Sequence, residues 1–377
     1  MTPREKLIKY LIDFGFSEEQ ITIILTNQDV KELTEGTILD HAKEINNYLL
    51  KQKYSKQDVI ERVLNFPKLY TYTKSNIEQK DNDLSKLGYS KEEIKKITKR
   101  FSRLYSYGYD NIKNTLEYLK SLGFNSKQVK KITLLYPTVV GYDTSTLDKK
   151  IKDLKSLGYT DKDVLKIIKI VPIVLQNSKE KNEQRISDIV SLGYTRKQVI
   201  KMTKTLPHLY EYSLENNVIS TLTNLKSLGY SEKDIIKMTS VYPALFSYST
   251  ERINTRIEDL ISLGYAKDQV LKMTVTLPAL FGYDLDNIIK KIEYLKEINL
   301  ENIVTDDTKQ LMQSVELIYA RYEYLTKETE KNISKENYTK LLMSENQFIK
   351  QFGITKKELL EKYNYNKYME AKNARTI

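Results

Sequence analysis

The chain has 377 residues, and its 61 lysines and arginines outnumber its 50 aspartates and glutamates to give a net charge of +11. It contains no cysteine, which excludes disulfide frameworks, thiolate metal sites and cysteine nucleophiles, and no apolar run approaches the length of a membrane span. The positive charge favours a polyanionic partner, either nucleic acid or an anionic membrane surface.

The N-terminal segment matches the later repeats only in part. Gly15 is followed fourteen residues later by Asp29, where the later repeats have proline. We therefore expect residues 1–52 to form a degenerate capping repeat. The first residues lack the apolar core of a secretion signal, so we expect a cytoplasmic protein, or a mitochondrial or other organellar one if a presequence has been removed.

Residues 53–300 contain seven tandem repeats in which a glycine precedes a proline by fourteen residues. The repeats start at Lys53, Gly88, Gly123, Gly158, Gly193, Gly229 and Gly264, with spacings of 35, 35, 35, 35, 36 and 35 residues. The prolines are Pro67, Pro137, Pro172, Pro207, Pro243 and Pro278, and Ser102 replaces the proline of repeat 88. A fixed period of this length predicts stacked helical units. Positions are numbered below from the start of each repeat, so that the proline is at +14.

Each repeat reads as a helix, a tight turn and a second helix. Capping-box pairs open the first helix: Ser55/Asp58, Ser90/Glu93, Asn125/Gln128, Thr160/Asp163, Thr195/Gln198 and Ser231/Asp234. The proline ends that helix after about three turns. Further caps open the second helix at Thr73, Asp143, Ser178, Ser213, Ser249 and Asp284. The sequence predicts an all-α superhelical solenoid of about 35-residue helix–3₁₀ turn–helix repeats, of either hand.

The C-terminal segment departs from the repeat. Asn299 stands where the next glycine would be, and the register is lost after it. We expect residues 301–377 to form a degenerate repeat and a polar helical cap that covers the exposed apolar end of the stack.

The register of glycine and proline, the Pro-x-Leu-aromatic turn and the Leu-x-x-Leu-Gly helix end resemble the mitochondrial transcription termination factor (mTERF) family. The resemblance covers roughly residues 53–300 and extends into IYARYEYLTK and SENQFIKQFGI. It implies a curved superhelix whose basic concave face binds nucleic acid, often duplex DNA, in organelle gene expression. Pentatricopeptide repeats share the period but lack this proline turn, and TAL-effector-like repeats carry a Gly-Gly loop in its place.

Lysines recur on one face of the first helix. Position +8 is lysine in six consecutive repeats, and positions +4 and +11 share its face. The set is Lys96, Lys131, Lys166, Lys201, Lys237 and Lys272 at +8, Lys127, Lys162, Lys197 and Lys233 at +4, and Lys99, Lys169 and Lys204 at +11. A stripe of residues kept only for solubility would mix acidic and basic side chains. Here acidic residues interrupt the lysines only at Glu61, Glu92 and Asp268. We call these thirteen lysines the lysine ladder and predict that stacking aligns them into a track for phosphates.

These observations predict a non-enzymatic, monomeric nucleic-acid-binding protein without a cofactor, acting in transcription regulation or termination. Double-stranded DNA is favoured, and an RNA-binding protein or a protein-binding scaffold is the alternative. Phosphate contacts orient a chain but do not read sequence. Candidates for base readout lie at +11 and +12, among them Arg100, Thr205, Ser240 and Thr276.

Two other sets of residues are interpreted as structural. The tyrosines at +19, such as Tyr107 and Tyr283, fit packing between repeats better than base stacking. His41 and His208 have no spacing that suggests a metal site, and each glycine stands alone at a helix end instead of forming a phosphate-binding loop.

Overall fold

The computed structural model describes residues 1–301, 303–329, 332–334 and 336–374, and these residues form helices and turns without a β-strand. The α-helices are α1 (Pro3–Phe14), α2 (Glu18–Thr26), α3 (Gln28–Lys31), α4 (Glu35–Lys51), α5 (Lys56–Asn65), α6 (Lys74–Lys86), α7 (Lys91–Arg100), α8 (Tyr109–Ser121), α9 (Ser126–Leu135), α10 (Thr144–Ser156), α11 (Asp161–Ile170), α12 (Lys179–Val190), α13 (Arg196–Thr205), α14 (Ser220–Leu228), α15 (Glu232–Val241), α16 (Thr250–Ser262), α17 (Lys267–Thr276), α18 (Leu285–Glu297), α19 (Ile303–Asp306), α20 (Val315–Glu328), α21 (Glu345–Phe352), α22 (Lys356–Lys362) and α23 (Tyr365–Ala374). The predicted all-α repeat fold is confirmed.

Short 3₁₀ helices join the two α-helices of each repeat. They are Pro67–Thr71, Ser102–Ser106, Pro137–Gly141, Pro172–Leu175, Pro207–Tyr210, Pro243–Ser247 and Pro278–Phe281, followed by Thr308–Met312 and Tyr338–Leu342 nearer the C-terminus. Each proline is the first residue of its 3₁₀ helix and lies two residues beyond the end of the first helix, as the sequence predicts.

The chain forms two compact bodies. The N-terminal body comprises Met1–Asp188 with Pro207–Glu211, and the C-terminal body comprises Ile189–Leu206 with Tyr212–Ile377. Within the N-terminal body the first helices α5, α7, α9 and α11 pack in series, and within the C-terminal body α13, α15 and α17 do the same. The apolar side chains between successive helices form the core, as Val129, Ile132 and Met238 illustrate.

The predicted caps are present. In five of the six first-helix pairs both capping-box hydrogen bonds form. In the sixth pair Ser231 accepts from the Asp234 N–H and its hydroxyl donates to the Asp234 carboxylate. The return bond from the Ser231 backbone N–H is missing, so this pair makes only half of the box. Side-chain caps also open the second helices where they were predicted, for example at Asp143 and Ser249. These caps satisfy N–H groups that a helix cannot pair internally.

The start of each repeat has left-handed backbone geometry. The six glycines adopt positive φ angles, for example 94° at Gly88. Lys53 and Asn299, which replace glycine, adopt φ angles of 64° and 59°. The turn therefore keeps its geometry where glycine is missing, at the steric cost of a side chain in that region.

Repeat 88 keeps the break between helices without proline. Helix α7 ends at Arg100, and Ser102 opens the 3₁₀ helix in the place of proline. The Ser102 hydroxyl donates to the carbonyl of Thr98 over 3.1 Å, so it binds the end of the preceding helix. The missing proline thus has only a local effect.

The one 36-residue spacing, from Gly193 to Gly229, coincides with a π-helical segment. Leu214–Ile219 is π-helical and leads into α14, and the Val218 N–H reaches the Ser213 carbonyl five residues earlier. A π-turn takes up one residue more than an α-turn. The extra residue of this repeat is therefore absorbed inside its second helix.

A tyrosine at +1 links several repeats to the next. The hydroxyls of Tyr54, Tyr194 and Tyr230 lie 3.0, 2.6 and 2.5 Å from those of Thr98, Thr239 and Thr274, at +10 of the following repeat. All six side chains are buried in the core, and so are the hydrogen bonds between them. The pairs join residues 44 or 45 positions apart.

A basic or hydroxyl side chain at +27 makes a second link. It donates to a backbone carbonyl in or just after the 3₁₀ turn of the next repeat. The bonds are Lys80 to Tyr107 (2.6 Å), Thr115 to Tyr142 (2.8 Å), Lys150 to Asn177 (3.1 Å), Arg185 to Leu209 (2.6 Å), Arg256 to Tyr283 (2.7 Å) and Lys291 to Leu311 (2.7 Å). We call these residues the carbonyl clamps. Part of the positive charge of the chain is thus structural.

The aromatic residues of the turns pack as the sequence predicts. Side chains at +17, such as Tyr70 and Phe246, are buried. Those at +19 are half-buried, and the Tyr107 ring stacks on Phe101 at 5.9 Å between centroids. A methyl group on Gly141 would lie 2.6 Å from the Tyr107 hydroxyl, so a larger residue at position 141 would require the tyrosine to shift.

Both ends of the chain retain the helix–turn–helix order. Near the N-terminus α3 replaces the 3₁₀ turn, and Asp29 forms an ion pair of 2.7 Å with Lys68 of repeat 53. After Asn299 the short helix α19, a 3₁₀ turn and α20 follow in the same order. Residues 302, 330, 331, 335 and 375–377 of the expected C-terminal cap lie outside the described residues.

The C-terminal helices are attached by aromatic and charged side chains. The Arg321 guanidinium is buried and donates to the carbonyls of Leu341 and Met343, both at 2.7 Å. The ring of Tyr319 on α20 stacks on that of Tyr368 on α23, with centroids 4.9 Å apart. These contacts attach the segment around Leu341 and helix α23 to α20.

Candidate nucleic-acid interface

The lysine ladder lies on the exposed ridge of the first helices. All six lysines at +8 and all four at +4 are exposed, as are Lys99 and Lys169 at +11, whereas Lys204 is half-buried. The residues between them point inward: in α9, Val129, Ile132 and Thr133 are buried on the opposite side from Lys127 and Lys131. The helical period therefore separates a core face from a lysine face.

Stacking brings the +8 lysines of each body onto neighbouring helices. Lys96, Lys131 and Lys166 lie on α7, α9 and α11 of the N-terminal body, and Lys201, Lys237 and Lys272 lie on α13, α15 and α17 of the C-terminal body. Axes of packed helices are about 8–10 Å apart. Each body therefore carries three of the +8 lysines on successive packed helices.

The ladder lysines differ from the lysines of the second helices in their partners. Three lysines of the second helices pair with an acid one turn away, in Lys74–Glu78, Lys113–Glu117 and Lys152–Asp148. Within the described residues, Lys96, Lys127, Lys131, Lys201, Lys237 and Lys272 form neither an ion pair nor a side-chain hydrogen bond. Their ammonium groups are accordingly free to bind an anion.

Two acidic residues near the start of first helices pair with lysines outside the ladder. Asp161 pairs with Lys155 at 2.7 Å, and Glu232 pairs with Lys226 at 2.8 Å, in both cases with the preceding second helix. The hydrogen bond from Lys226 lowers the pKa of the Glu232 carboxyl. These carboxylates therefore do not compensate the charge of the ladder.

Lys99 of the ladder is engaged by a carboxylate. It forms an ion pair with Asp58, the capping residue of α5. The hydrogen bond from Lys99, together with those from Ser55, lowers the pKa of Asp58 to about 2. Lys99 is thus already occupied by a carboxylate of the preceding repeat.

Position +12 extends the exposed ridge better than position +11 does. Thr205, Val241 and Thr276 at +12 are exposed, whereas Ser240 at +11 is half-buried with its hydroxyl oxygen enclosed. Arg100 at +12 donates to the carbonyl of Leu134 over 3.1 Å. Of the predicted candidates for base readout, Thr205 and Thr276 therefore lie on the exposed ridge. Val241 lies there too and was not among the named candidates. Its position, one helical turn after the lysine at +8, could have identified it.

The two histidines make local contacts. His41 Nδ1 lies 3.0 Å from the Tyr70 carbonyl, and His208 Nδ1 lies 3.0 Å from the Glu211 carboxylate. Across the described ranges, histidine and acidic side chains form no group of three that could hold a metal ion. In the same residues no helix is both long enough and apolar enough to cross a membrane.

Comparison with known families agrees with the repeat geometry. The model of the mTERF family matches the chain in three overlapping segments, residues 1–121, 110–218 and 183–348. The matched segments run from the degenerate N-terminal repeat through all seven full repeats and into the C-terminal helices. No curated protein matches the chain significantly.

Proposed function

Because the chain belongs to the mTERF family, whose members are generally non-enzymatic, nucleic-acid-binding helical-repeat proteins, we propose that it binds double-stranded DNA through the lysine ladder. The observation that carries this proposal is the contrast between the two kinds of helix. Six exposed ladder lysines form no ion pair within the described residues, whereas three second-helix lysines pair with an acid on their own helix. The six are Lys96, Lys127, Lys131, Lys201, Lys237 and Lys272, and the three are Lys74, Lys113 and Lys152. If the lysines served only solubility, those on the first and second helices would not differ in their acidic partners.

Duplex DNA fits the spacing of the ladder. Helix axes about 8–10 Å apart correspond to about three base pairs of a duplex that rises 3.4 Å per pair. One lysine at +8 can therefore reach a phosphate in every third nucleotide, and each contact releases counterions. These contacts give affinity and orient the duplex without reading its sequence.

We further propose that the protein acts as a monomer in transcription regulation or termination. A repeat protein that covers the phosphates along a duplex obstructs a polymerase that must separate the strands. We propose the cytoplasm as its compartment, with a mitochondrion or other organelle as the alternative.

The test compares two variants that lose the same charge from the N-terminal body. One replaces Lys96, Lys127 and Lys131 by glutamine, and the other replaces Lys74, Lys113 and Lys152 on the second helices. Affinity for duplex DNA, single-stranded DNA and RNA is measured over a salt titration, and circular dichroism checks the fold. Loss of three phosphate contacts is expected to flatten the duplex salt slope by about 2.7 in the ladder variant only.

Other outcomes would overturn the proposal. Equal effects of the two variants would mean that net charge, and not the ladder, sets the affinity. Tighter binding of RNA than of duplex DNA would favour the RNA-binding alternative. Absence of binding to every nucleic acid by a folded protein would favour a protein-binding scaffold.

A further inference from the structure

A strip of apolar surface accompanies the ladder in the C-terminal body. Thr205, Val241 and Thr276 occupy +12 on α13, α15 and α17, which pack in series. Val241 is 63% exposed, the second highest value among the large hydrophobic residues that are exposed in the described structure, after Met1. We call these three residues the apolar strip.

The two threonines present methyl groups because their hydroxyls are engaged. Thr205 Oγ1 donates to the carbonyl of Lys201 over 3.0 Å, and Thr276 Oγ1 donates to that of Lys272 over 2.8 Å. A hydroxyl bonded to its own helix in this way turns toward the backbone, and the γ-methyl takes the outer position. The strip therefore offers methyl groups in three successive repeats.

The apolar strip lies close enough to the ladder lysines to contact the same ligand. Each strip residue lies four positions after a ladder lysine, which is about 6 Å along the helix axis. A polyanion held at Lys201, Lys237 and Lys272 thus extends over the strip. A DNA duplex displays an apolar group in its major groove, the C5 methyl of thymine.

We propose that the apolar strip packs against thymine methyl groups, so that the ladder and the strip together select thymine-containing duplex DNA. This inference rests on the proposed function, since the ladder must first hold the phosphates. Threonine methyls and other small apolar groups are suited to this contact. The three strip positions contain no arginine or asparagine, so they do not read guanine or adenine by paired hydrogen bonds.

The proposed contact with thymine methyl groups would also distinguish DNA from RNA. Uracil lacks the C5 methyl, and the major groove of A-form RNA is too deep and narrow for side chains to read. Cytosine likewise has no methyl at C5, so the strip favours thymine over cytosine at the positions it covers.

The experiment exchanges thymine for uracil in a DNA duplex rich in A·T pairs, which changes methyl groups but not charge or sugar. Wild-type protein is expected to bind the uracil duplex about fourfold more weakly for each methyl that it covers. The salt slope should stay the same, because the phosphate contacts are unchanged.

A methyl-deletion variant identifies the residues responsible. Thr205→Ser, Val241→Ser and Thr276→Ser in one protein remove the methyl groups, and serine at the two threonine sites retains the hydroxyl. This variant should bind thymine and uracil duplexes equally. The control is Ile261→Ser on the second helix α16, another exposed apolar residue, which should retain the preference.

The outcomes distinguish this inference from the proposed function. If wild-type protein binds both duplexes equally while the ladder still sets the salt slope, the strip proposal is overturned and the proposed function stands. If the preference persists in the methyl-deletion variant, the strip proposal is again overturned. If no duplex is bound, the proposed function itself fails.

Discussion

The phenolic oxygen of Tyr89 lies 2.7 Å from the hydroxyl oxygen of Thr133 in the following repeat, and both groups are buried. The repeat that follows lacks this hydrogen bond. There the equivalent positions are Phe124 and Ile168, which are buried and apolar. The two sites therefore change together, because a buried hydroxyl without a partner costs more free energy than an apolar group of the same shape.

This pairing predicts unequal effects of single substitutions. Thr133→Val leaves the Tyr89 hydroxyl buried and unpaired, and should lower the free energy of unfolding by about 1–3 kcal/mol. Tyr89→Phe should cost less, about 1 kcal/mol or below, because Thr133 still donates to the carbonyl of Lys130. The double variant reproduces the pattern of Phe124 and Ile168 and should be more stable than Thr133→Val alone. Urea denaturation of the four proteins measures the coupling.

The reverse change provides the control. Phe124→Tyr places a hydroxyl opposite Ile168 and should destabilise the protein, and adding Ile168→Thr should restore stability. Additive effects in both cycles would show that the two positions are independent.

Local signals in the sequence account for the helices and their ends. The proline at +14, the glycine at the repeat start and the paired caps act within a few residues, so their spacing defines each helix. The Tyr89–Thr133 pair and the clamp from Lys150 join residues in different repeats. The sequence of a single repeat therefore does not predict them. The lysines at +8 could be predicted, since helical periodicity exposes them. The engagement of Lys99 by Asp58 could not, because it depends on how α7 packs against α5.

The carbonyl clamps should affect stability and not binding. Lys150 donates to the Asn177 carbonyl and lies over the Tyr142 ring, and burial lowers the pKa of its ammonium group. Lys150→Met removes the donor and should lower the free energy of unfolding by about 1 kcal/mol. Lys131→Gln removes the same charge from the ladder and should leave stability within about 0.5 kcal/mol while weakening DNA binding.

Thermal or urea denaturation and a DNA titration on both proteins check this prediction. Weaker DNA binding by Lys150→Met than by Lys131→Gln would show that the clamps, and not the ladder, face the ligand.

The ion pair between Asp58 and Lys99 should make stability depend on acid pH. Because the pKa of Asp58 is about 2 in the folded protein, below the ordinary value of 3.8, its ionised form favours the folded state. That contribution is complete above about pH 4 and is lost as the pH falls toward 2. Urea midpoints of the wild type and Asp58→Asn should differ at neutral pH and converge in acid. A difference that stays constant down to pH 2 would contradict this.

The same substitution should strengthen DNA binding. Asparagine at position 58 can keep the hydrogen bond to the Ser55 backbone, since its amide oxygen replaces the carboxylate oxygen. It no longer neutralises Lys99, which lies on the exposed ridge of α7 beside Lys96. One additional phosphate contact should steepen the salt slope by about 0.9. The matched control is Glu117→Gln, which removes one negative charge from the pair with Lys113 on a second helix. Because Lys113 lies on a second helix and is not part of the ladder, its release should leave the slope unchanged. Equal slopes for the two variants would mean that Lys99 does not reach the DNA.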